Sequence, residues 1–182
     1  MTHSRLWIAG AGAVAAATLA ACLSPAGHAG GATAPLLNGR YRTSVRILVD
    51  TNNPRLPTGY TAVRTWSFVP SCSAAGCSTT LYRPSIFPGR TTVFRYVLHL
   101  VSSSTYRGTL DVPDRCLEPT RALPWGSVVD RQVMTIRPTR TSAGKVVAFE
   151  GTMVTTTRPT KWAKAQGCTA AGYQKAAVRS PA

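Results

Sequence analysis

The ten residues RYRTSVRILV, numbers 40–49, alternate between two kinds of side chain. A period of two over ten residues is typical of a β-strand that turns one face to a core. The pattern predicts that the apolar set is buried and that three arginines, hereafter the arginine stripe, line the outer face. The predicted inner face is Tyr41, Thr43, Val45, Ile47 and Val49, and the stripe is Arg40, Arg42 and Arg46.

The rest of the chain is divided by turn residues into further short strand patterns, at residues 61–69, 78–83, 91–101, 106–112, 131–137 and 145–156. Residues 113–130 form a long connection rich in proline, and the alanine-rich stretch 169–179 fits either a helix or a final strand. No segment of twelve residues has the pattern of an amphipathic helix. About seven to eight strands at this spacing predict an all-β fold, an antiparallel sandwich or a small barrel.

The N-terminal residues have the pattern of an export signal. His3 and Arg5 precede an apolar run over residues 6–21, which closes on Leu19-Ala20-Ala21-Cys22. This tetrapeptide resembles the bacterial lipobox, and the resemblance implies lipid attachment at Cys22. The expected domains are a lipoprotein-type signal peptide (1–21), a tether (22–36) and a single β-domain (37–182). The protein is then exported to the outer face of the cytoplasmic membrane, or secreted if the cut falls after Ala29.

Four further cysteines remain after export, and an even number in an oxidising compartment predicts two disulfides. Three pairings are open, and we favour Cys72 with Cys77 and Cys116 with Cys168. A zinc site fits less well, because the spacing lacks a second CxxC-like pair and His99 lies in a strand pattern. The sequence therefore predicts no metal and no cofactor.

The cysteines also lie within a longer pattern. Trp66-Ser67-Phe68-Val69-Pro70-Ser71-Cys72 is followed by Gly76-Cys77, and two aromatic-x-Gly corners stand at Tyr106/Gly108 and Phe149/Gly151. Over about residues 37–176 the chain resembles an uncharacterised exported β-domain family of actinobacteria. That family occurs as a lone secreted or lipoprotein form and attached to some Ser/Thr kinases. It has no assigned activity, so the resemblance implies no catalytic residue. Leu117-Glu118-Pro119 replaces the glycine-rich stretch expected there.

The formal net charge of +15, from 21 basic and 6 acidic residues, favours a polyanionic partner. Export removes the protein from nucleic acid, so the predicted partners are anionic envelope polymer or lipid headgroups. The predicted membrane contact is the lipid anchor, and the loops are expected to contact a protein partner. The arginine stripe is the predicted anion-binding site, although arginine richness also occurs as a genomic bias on ordinary solvated strands.

Catalysis is not expected, because no nucleophile, phosphate loop or paired acid–base motif is present. The function predicted is non-catalytic, binding or structural, at the anionic envelope. One alternative is an envelope glycan hydrolase that uses loop carboxylates such as Asp114 and Glu118. Another is a small-ligand carrier with an open barrel mouth, which a filled interior would remove. Trp125 lies in a Pro/Gly loop, and we expect it to cover one end of the barrel.

Overall fold

The computed structural model describes residues 35–51, 56–73, 76–86, 89–118 and 121–181, and the statements below concern these. They belong to one compact unit, Thr33–Ala182. The predicted signal peptide (1–21), the lipid site Cys22, the alternative cut after Ala29 and the tether up to residue 34 lie outside the described residues. Pro35 and Leu36 already contact the β-domain, since the Tyr106 hydroxyl donates to the Pro35 carbonyl at 2.9 Å and Leu36 pairs with Lys145.

Within the described residues, eight long strands form a closed antiparallel barrel. Each strand pairs with the next long strand of the chain, and the last pairs with the first. The prediction of an all-β fold is confirmed, in its barrel form. The strands are β1 (Gly39–Asp50), β2 (Thr61–Ser73), β3 (Gly76–Pro84), β4 (Val93–Ser102), β5 (Thr105–Asp114), β8 (Val128–Ser142), β9 (Lys145–Pro159) and β10 (Gly172–Ser180), with a small hairpin of β6 (Leu117–Glu118) and β7 (Arg121–Ala122) between β5 and β8.

Strand β1 follows the predicted alternation as far as Ile47. The four inner residues up to Ile47 are at most 8% exposed. The prediction for Val49 is wrong, because a bulge between Ile47 and Val49 inserts Leu48 into the pairing with β10. One extra residue shifts the chain by half a period and sends the following side chain to the other face. Leu48 and Val49 are consequently both exposed.

The last part of the chain resolves as a strand preceded by one short helix. The helix α1 (Lys161–Ala165) begins after Thr160, whose hydroxyl accepts a hydrogen bond from the Ala163 amide at 3.2 Å. Strand β10 then runs from Gly172 to Ser180 and closes the barrel between β9 and β1.

The chain direction divides the barrel into two ends. The lower end, so named here, carries residues 35–38 and the β2–β3, β4–β5 and β8–β9 turns. The upper end carries the loops that follow β1, β3, β5 and β9. Leu37 is fully buried in the lower end, and the Tyr41 hydroxyl donates to the Val146 carbonyl at 2.6 Å. The lower end is therefore closed by the first described residues of the chain.

The lower half of the interior is an aromatic cluster. Tyr41, Trp66, Phe68 and Phe149 have ring centroids 5.3–6.5 Å apart, three of the five pairs edge to face. This edge-to-face geometry suits the ring quadrupole. The same core cluster includes Tyr96, with Phe94 packed against it. The interior is filled at this level, which argues against the small-ligand carrier.

Both predicted disulfides are present. Cys72 and Cys77 lie directly opposite each other on β2 and β3, with their Cα atoms 4.0 Å apart. Cys116 and Cys168 join the β5–β8 connection to the segment after α1, and a second apolar cluster surrounds them. Two disulfides are compatible with an exported protein. That second cluster, hereafter the upper cap, comprises Cys116, Leu123, Val128, Ala163 and Cys168.

Two glycines explain the repeated aromatic-x-Gly pattern. A Cβ at Gly108 would overlap the Val97 carbonyl oxygen, and a Cβ at Gly151 would overlap that of Thr135. Both glycines stand within strands, on β5 and β9. Only a residue without a side chain lets neighbouring backbones come this close. The pattern marks places where neighbouring strands of the wall approach each other closely.

Candidate functional site

The arginine stripe lies on the outer wall of the barrel, as predicted. Arg40, Arg42 and Arg46 are all exposed, while their neighbours in sequence point inward. Alternate residues of a strand are about 6.6 Å apart, so the backbone positions of Arg40 and Arg42 have that spacing and Arg46 lies about 13 Å beyond Arg42. Their cross-strand partners on β2 are the hydroxyl residues Ser67, Thr65 and Thr61.

A groove borders the lower part of the stripe. Strand β10 ends at Ser180, which lies opposite Phe149 of β9. On its other side, the last pair with β1 is Arg179 with Ser44. Below this level β1 and β9 flank a groove of about 310 Å³. The Ser180 hydroxyl donates to the Arg42 carbonyl at 3.1 Å and fixes one side of it. The groove is lined by Asn38, Arg40, Tyr41, Arg42, Val146, Val147, Ser180 and Pro181.

The charges of the stripe are not neutralised by carboxylates. Among the described residues, the ion pair that the structure shows is Arg131 with Asp111, at 2.8 Å on the outer wall of β5 and β8. Two hydrogen bonds from Arg131 hold the pKa of Asp111 below its usual range. No carboxylate of the described residues lies within 4 Å of a guanidinium nitrogen of the stripe. Its arginines are thus free to bind an external anion.

The neighbouring strand β10 extends the basic surface. Arg179 is opposite Ser44 in the pairing with β1 and is exposed. Lys175 is half-buried on the same strand, opposite Val49. Arg179 is also opposite Glu150 on β9, so the surface becomes mixed in charge on its far side. The basic area therefore centres on β1 and the β10 edge beside it.

A second arginine environment lies inside the barrel, and the sequence analysis missed it. Arg83, on β3, is 2% exposed. Its Nη2 donates to the Gln132 Oε1 at 3.0 Å and to the Tyr96 hydroxyl at 3.2 Å, and its Cζ lies 4.5 Å from the Phe94 ring centroid. Its Nε is buried with no hydrogen-bond partner. The signal was available, since Arg83 has the same alternation phase as the fully buried Leu81.

The residues around Arg83 make the upper half of the interior polar. Gln132 accepts from the Tyr96 hydroxyl as well as from Arg83. Burial raises the pKa of Tyr96 and outweighs the opposing effect of the Arg83 charge, so the phenol stays neutral. Asp130, in the same strand as Gln132, accepts from the Thr157 hydroxyl at 2.6 Å. Burial raises the pKa of this carboxyl above 3.8, and the Asp114 charge adds to the rise.

The loop carboxylates proposed for a hydrolase do not form a described catalytic pair. Asp114 accepts from the Arg115 amide at 2.8 Å, and Asp111 is engaged by Arg131 on the outer wall. The Glu118 side chain lies outside what the structure describes. Neither the groove nor the cavity beside Arg83 is lined by Asp114. The structure gives no observation that favours glycan hydrolysis, and the absence of catalysis stays a prediction.

The upper cap leaves two tryptophans in solvent. Trp125 is 56% exposed and Trp162 is 52% exposed, so the prediction that Trp125 covers the barrel end is wrong. The physical reason is that Leu123 of the same loop fills the space under the loop instead. The loop that carries Trp125 and the segment that carries Trp162 are joined, because the Thr160 amide donates to the Ser127 carbonyl at 2.9 Å.

His99 faces solvent on β4, as its alternation with the buried Leu98 predicts. The part of the chain that the structure describes contains no cluster of three or more His, Cys, Asp or Glu side chains placed to hold a metal ion. No helix among these residues is both long and apolar enough to cross a bilayer.

The described residues define a class of fold: a disulfide-linked, closed eight-stranded antiparallel barrel with a basic outer strand. No family model, no curated protein and no solved structure matches this chain. The resemblance to the exported actinobacterial family therefore stays a prediction.

Proposed function

We propose that this protein is a non-catalytic β-barrel of the cell envelope that binds an anionic envelope polymer along β1. Its route to the envelope is export, followed by lipid attachment at Cys22 or release after Ala29. The lipobox-like tetrapeptide and the two disulfides support this localisation. The resemblance to exported actinobacterial domains supports it from the sequence.

The observation that carries the proposal is the unpaired arginine stripe. Arg40, Arg42 and Arg46 stand in one line on a rigid strand, and the described residues bring no carboxylate to them. Guanidinium groups bind phosphate and carboxylate oxygens in a two-pronged geometry, and a rigid base lowers the entropy lost on binding. A linear polymer with charges repeated every 6 to 7 Å, roughly the strand spacing, contacts the first two arginines with successive groups.

The test measures binding of the full chain to purified phosphate-bearing envelope polymer across a salt series. The variant Arg40→Gln/Arg42→Gln/Arg46→Gln removes the stripe. Each basic residue near an anionic surface contributes about 1 kcal/mol, so we expect the loss of three to weaken binding roughly hundredfold at low salt. Binding by the natural chain should weaken as salt rises, since screening acts on exposed charges.

A matched control removes the same amount of charge elsewhere. Arg95, Arg107 and Arg140 are exposed on β4, β5 and β8, and Arg95→Gln/Arg107→Gln/Arg140→Gln lowers the net charge by the same three units. The proposal requires the control to lose much less affinity than the stripe variant. Equal losses of affinity in the two variants would mean that overall charge, rather than the arginine stripe, determines binding. Binding that does not change with salt concentration would also contradict the proposal.

Two further measurements separate the polymer from other anionic partners and locate the anchor. A parallel experiment uses vesicles with anionic headgroups in place of the polymer. Binding to the vesicles but not to the polymer would identify lipid, rather than polymer, as the anionic partner. Mass spectrometry of the mature N-terminus tests the anchor: a diacylglyceryl group on Cys22 supports lipidation, whereas an N-terminus after Ala29 supports secretion.

A further inference from the structure

The strongest unexplained feature of the interior is the cation of Arg83. A guanidinium stays protonated in proteins, so burial cannot neutralise it as it neutralises lysine. Moving such a charge from water into a protein interior is strongly unfavourable unless an opposite charge compensates it. No carboxylate of the described residues lies within 4 Å of Arg83, since the ion pair that they form is on the outer wall. Its hydrogen-bond acceptors are all neutral: the Gln132 carbonyl, the Tyr96 hydroxyl and, at 3.4 Å from Nη1, the Pro84 carbonyl.

A small cavity adjoins this guanidinium. It measures about 30 Å³ and lies inside the barrel wall. A cavity measured in this way needs about 10–15 Å³ to hold one water molecule, so this one has room for two or three species of that size. An organic anion of six carbons is too large for it. The lining residues are Arg83, Ser85, Ile86, Phe94, Gln132, Met153 and Gln174.

The polar groups around the cavity are rich in donors. Arg83 Nε has no partner among the described residues and is fully desolvated. The Gln132 carbonyl oxygen already accepts two hydrogen bonds, from Arg83 and Tyr96, which leaves its NH₂ group as the remaining function of that amide. The Gln174 amide nitrogen donates to Asp50 at 2.6 Å.

We infer that the upper interior is a binding site for a small inorganic anion of halide size, with Arg83 as its principal ligand. The anion supplies the negative charge that the barrel's own residues do not place beside Arg83. Nε–H of Arg83 and the NH₂ group of Gln132 donate to it. The site is separate from the arginine stripe, which faces the solvent on β1.

The test measures thermal unfolding of the full chain at constant ionic strength, with sodium chloride progressively replacing sodium gluconate. Gluconate is too large for the cavity, so only chloride can bind. A ligand that binds the folded state stabilises it with its concentration, so we expect a saturating rise in Tm of about 3 to 5 °C. A Tm that does not change with chloride would overturn the inference.

Two variants assign the effect to this site. Gln132→Glu places a permanent carboxylate beside the guanidinium, and we expect it to be more stable in gluconate and insensitive to chloride. Arg83→Met removes the cation and should be insensitive as well. If Arg83→Met fails to fold, Gln132→Glu decides alone. If the Tm of Gln132→Glu rises with chloride as much as that of the natural chain, the anion binds elsewhere and the proposed site is refuted.

The outer arginines serve as the control. Arg40→Gln/Arg42→Gln/Arg46→Gln should keep the full chloride response, because the stripe lies outside the wall. Loss of the response in that variant would assign it to the surface. Crystals soaked in bromide give a direct readout: an anomalous peak beside Arg83 Nε supports the site, and peaks at outer arginines alone contradict it.

Discussion

The lower and upper halves of the barrel interior are built on the same strands with opposite chemistry. The lower half holds four aromatic rings in mutual contact, closed by the fully buried Leu37. The upper half holds a buried guanidinium, two glutamines and a half-buried carboxyl. A single alternation along each strand therefore sets which residues point inward without setting how polar they are.

The two ends are also closed by different means. At the lower end, residues 35–38 pack into the barrel and Tyr41 and Tyr106 hydrogen-bond across it. At the upper end, the Cys116–Cys168 bond ties two connections together over a small apolar cluster. The Cys72–Cys77 bond also lies at the lower end, but it joins paired residues of one hairpin, and packing within the barrel closes that end. The upper end is instead closed by a covalent link between two separate connections. This difference teaches that the aromatic half is the structural core, and that the polar half depends on added constraints.

The largest expected effect comes from breaking the covalent link of the upper cap. Replacing Cys116 and Cys168 by serine opens a loop of sequence separation 52 and should cost about 4 kcal/mol in the chain-entropy model. The matched change at Cys72 and Cys77, with a separation of 5, should cost about 2 kcal/mol. Urea unfolding of both double variants measures the difference. A larger loss of unfolding free energy in the Cys72/Cys77 variant than in the Cys116/Cys168 variant would contradict the comparison of the two ends.

A second test addresses the wall of the lower half. Gly151→Ala should destabilise the barrel by about 3 kcal/mol, because the new Cβ meets the rigid backbone of Thr135. The matched control is Gly126→Ala in the upper loop, where nothing lies within 4 Å of the Cβ and only the positive φ of 83° opposes the change. That cost is about 1 kcal/mol. Urea unfolding compares the two, and equal costs would show that close approach at Gly151 is not required.

The smallest expected effect concerns Asp130 in the upper half. Its pKa in the folded state is raised above 3.8, so the folded protein holds this proton more tightly than the unfolded chain. The resulting stabilisation is fully present below pH 3.8 and is lost as the pH rises through the folded-state pKa.

Asp130→Asn mimics the protonated carboxyl and keeps an oxygen for the Thr157 hydroxyl. It should therefore raise Tm by a few degrees at pH 7 and leave it unchanged near pH 3, as followed by circular dichroism. A gain of equal size at both pH values would show that the carboxyl charge is not the cause.

Much of the barrel follows from patterns in the sequence. Alternation located the long strands, and the parity of β1 placed the stripe outside and its apolar residues inside up to Ile47. The number and spacing of the cysteines, with the predicted export, favoured the two disulfides that the structure contains. The choice between sandwich and barrel did not follow, because closure depends on β10 pairing with β1 across the whole chain. No local pattern records such a pairing.

The errors have physical causes as well. The bulge at Leu48 changes the face of Val49, and nothing in the composition of β1 marks the extra residue. Trp125 was expected to cover the barrel end, whereas the smaller Leu123 takes the buried position. Arginine is ordinarily exposed, so the composition gave no reason to expect Arg83 inside. Its position two residues after the buried Leu81 on the same strand nevertheless places it on the inner face. Charge at an inward position is the kind of exception that marks a specialised site.

The pairing of β10 with β1 also governs when the protein can fold. The six long strands between β1 and β10 each pair with the long strands before and after them in the chain, so they can assemble as they become available. Strand β1, by contrast, waits for residues 172–180 before its second edge is satisfied. An open wall exposes two unpaired strand edges, which invite pairing with other chains. During synthesis, the barrel therefore stays vulnerable to aggregation until residues 172–180 have emerged.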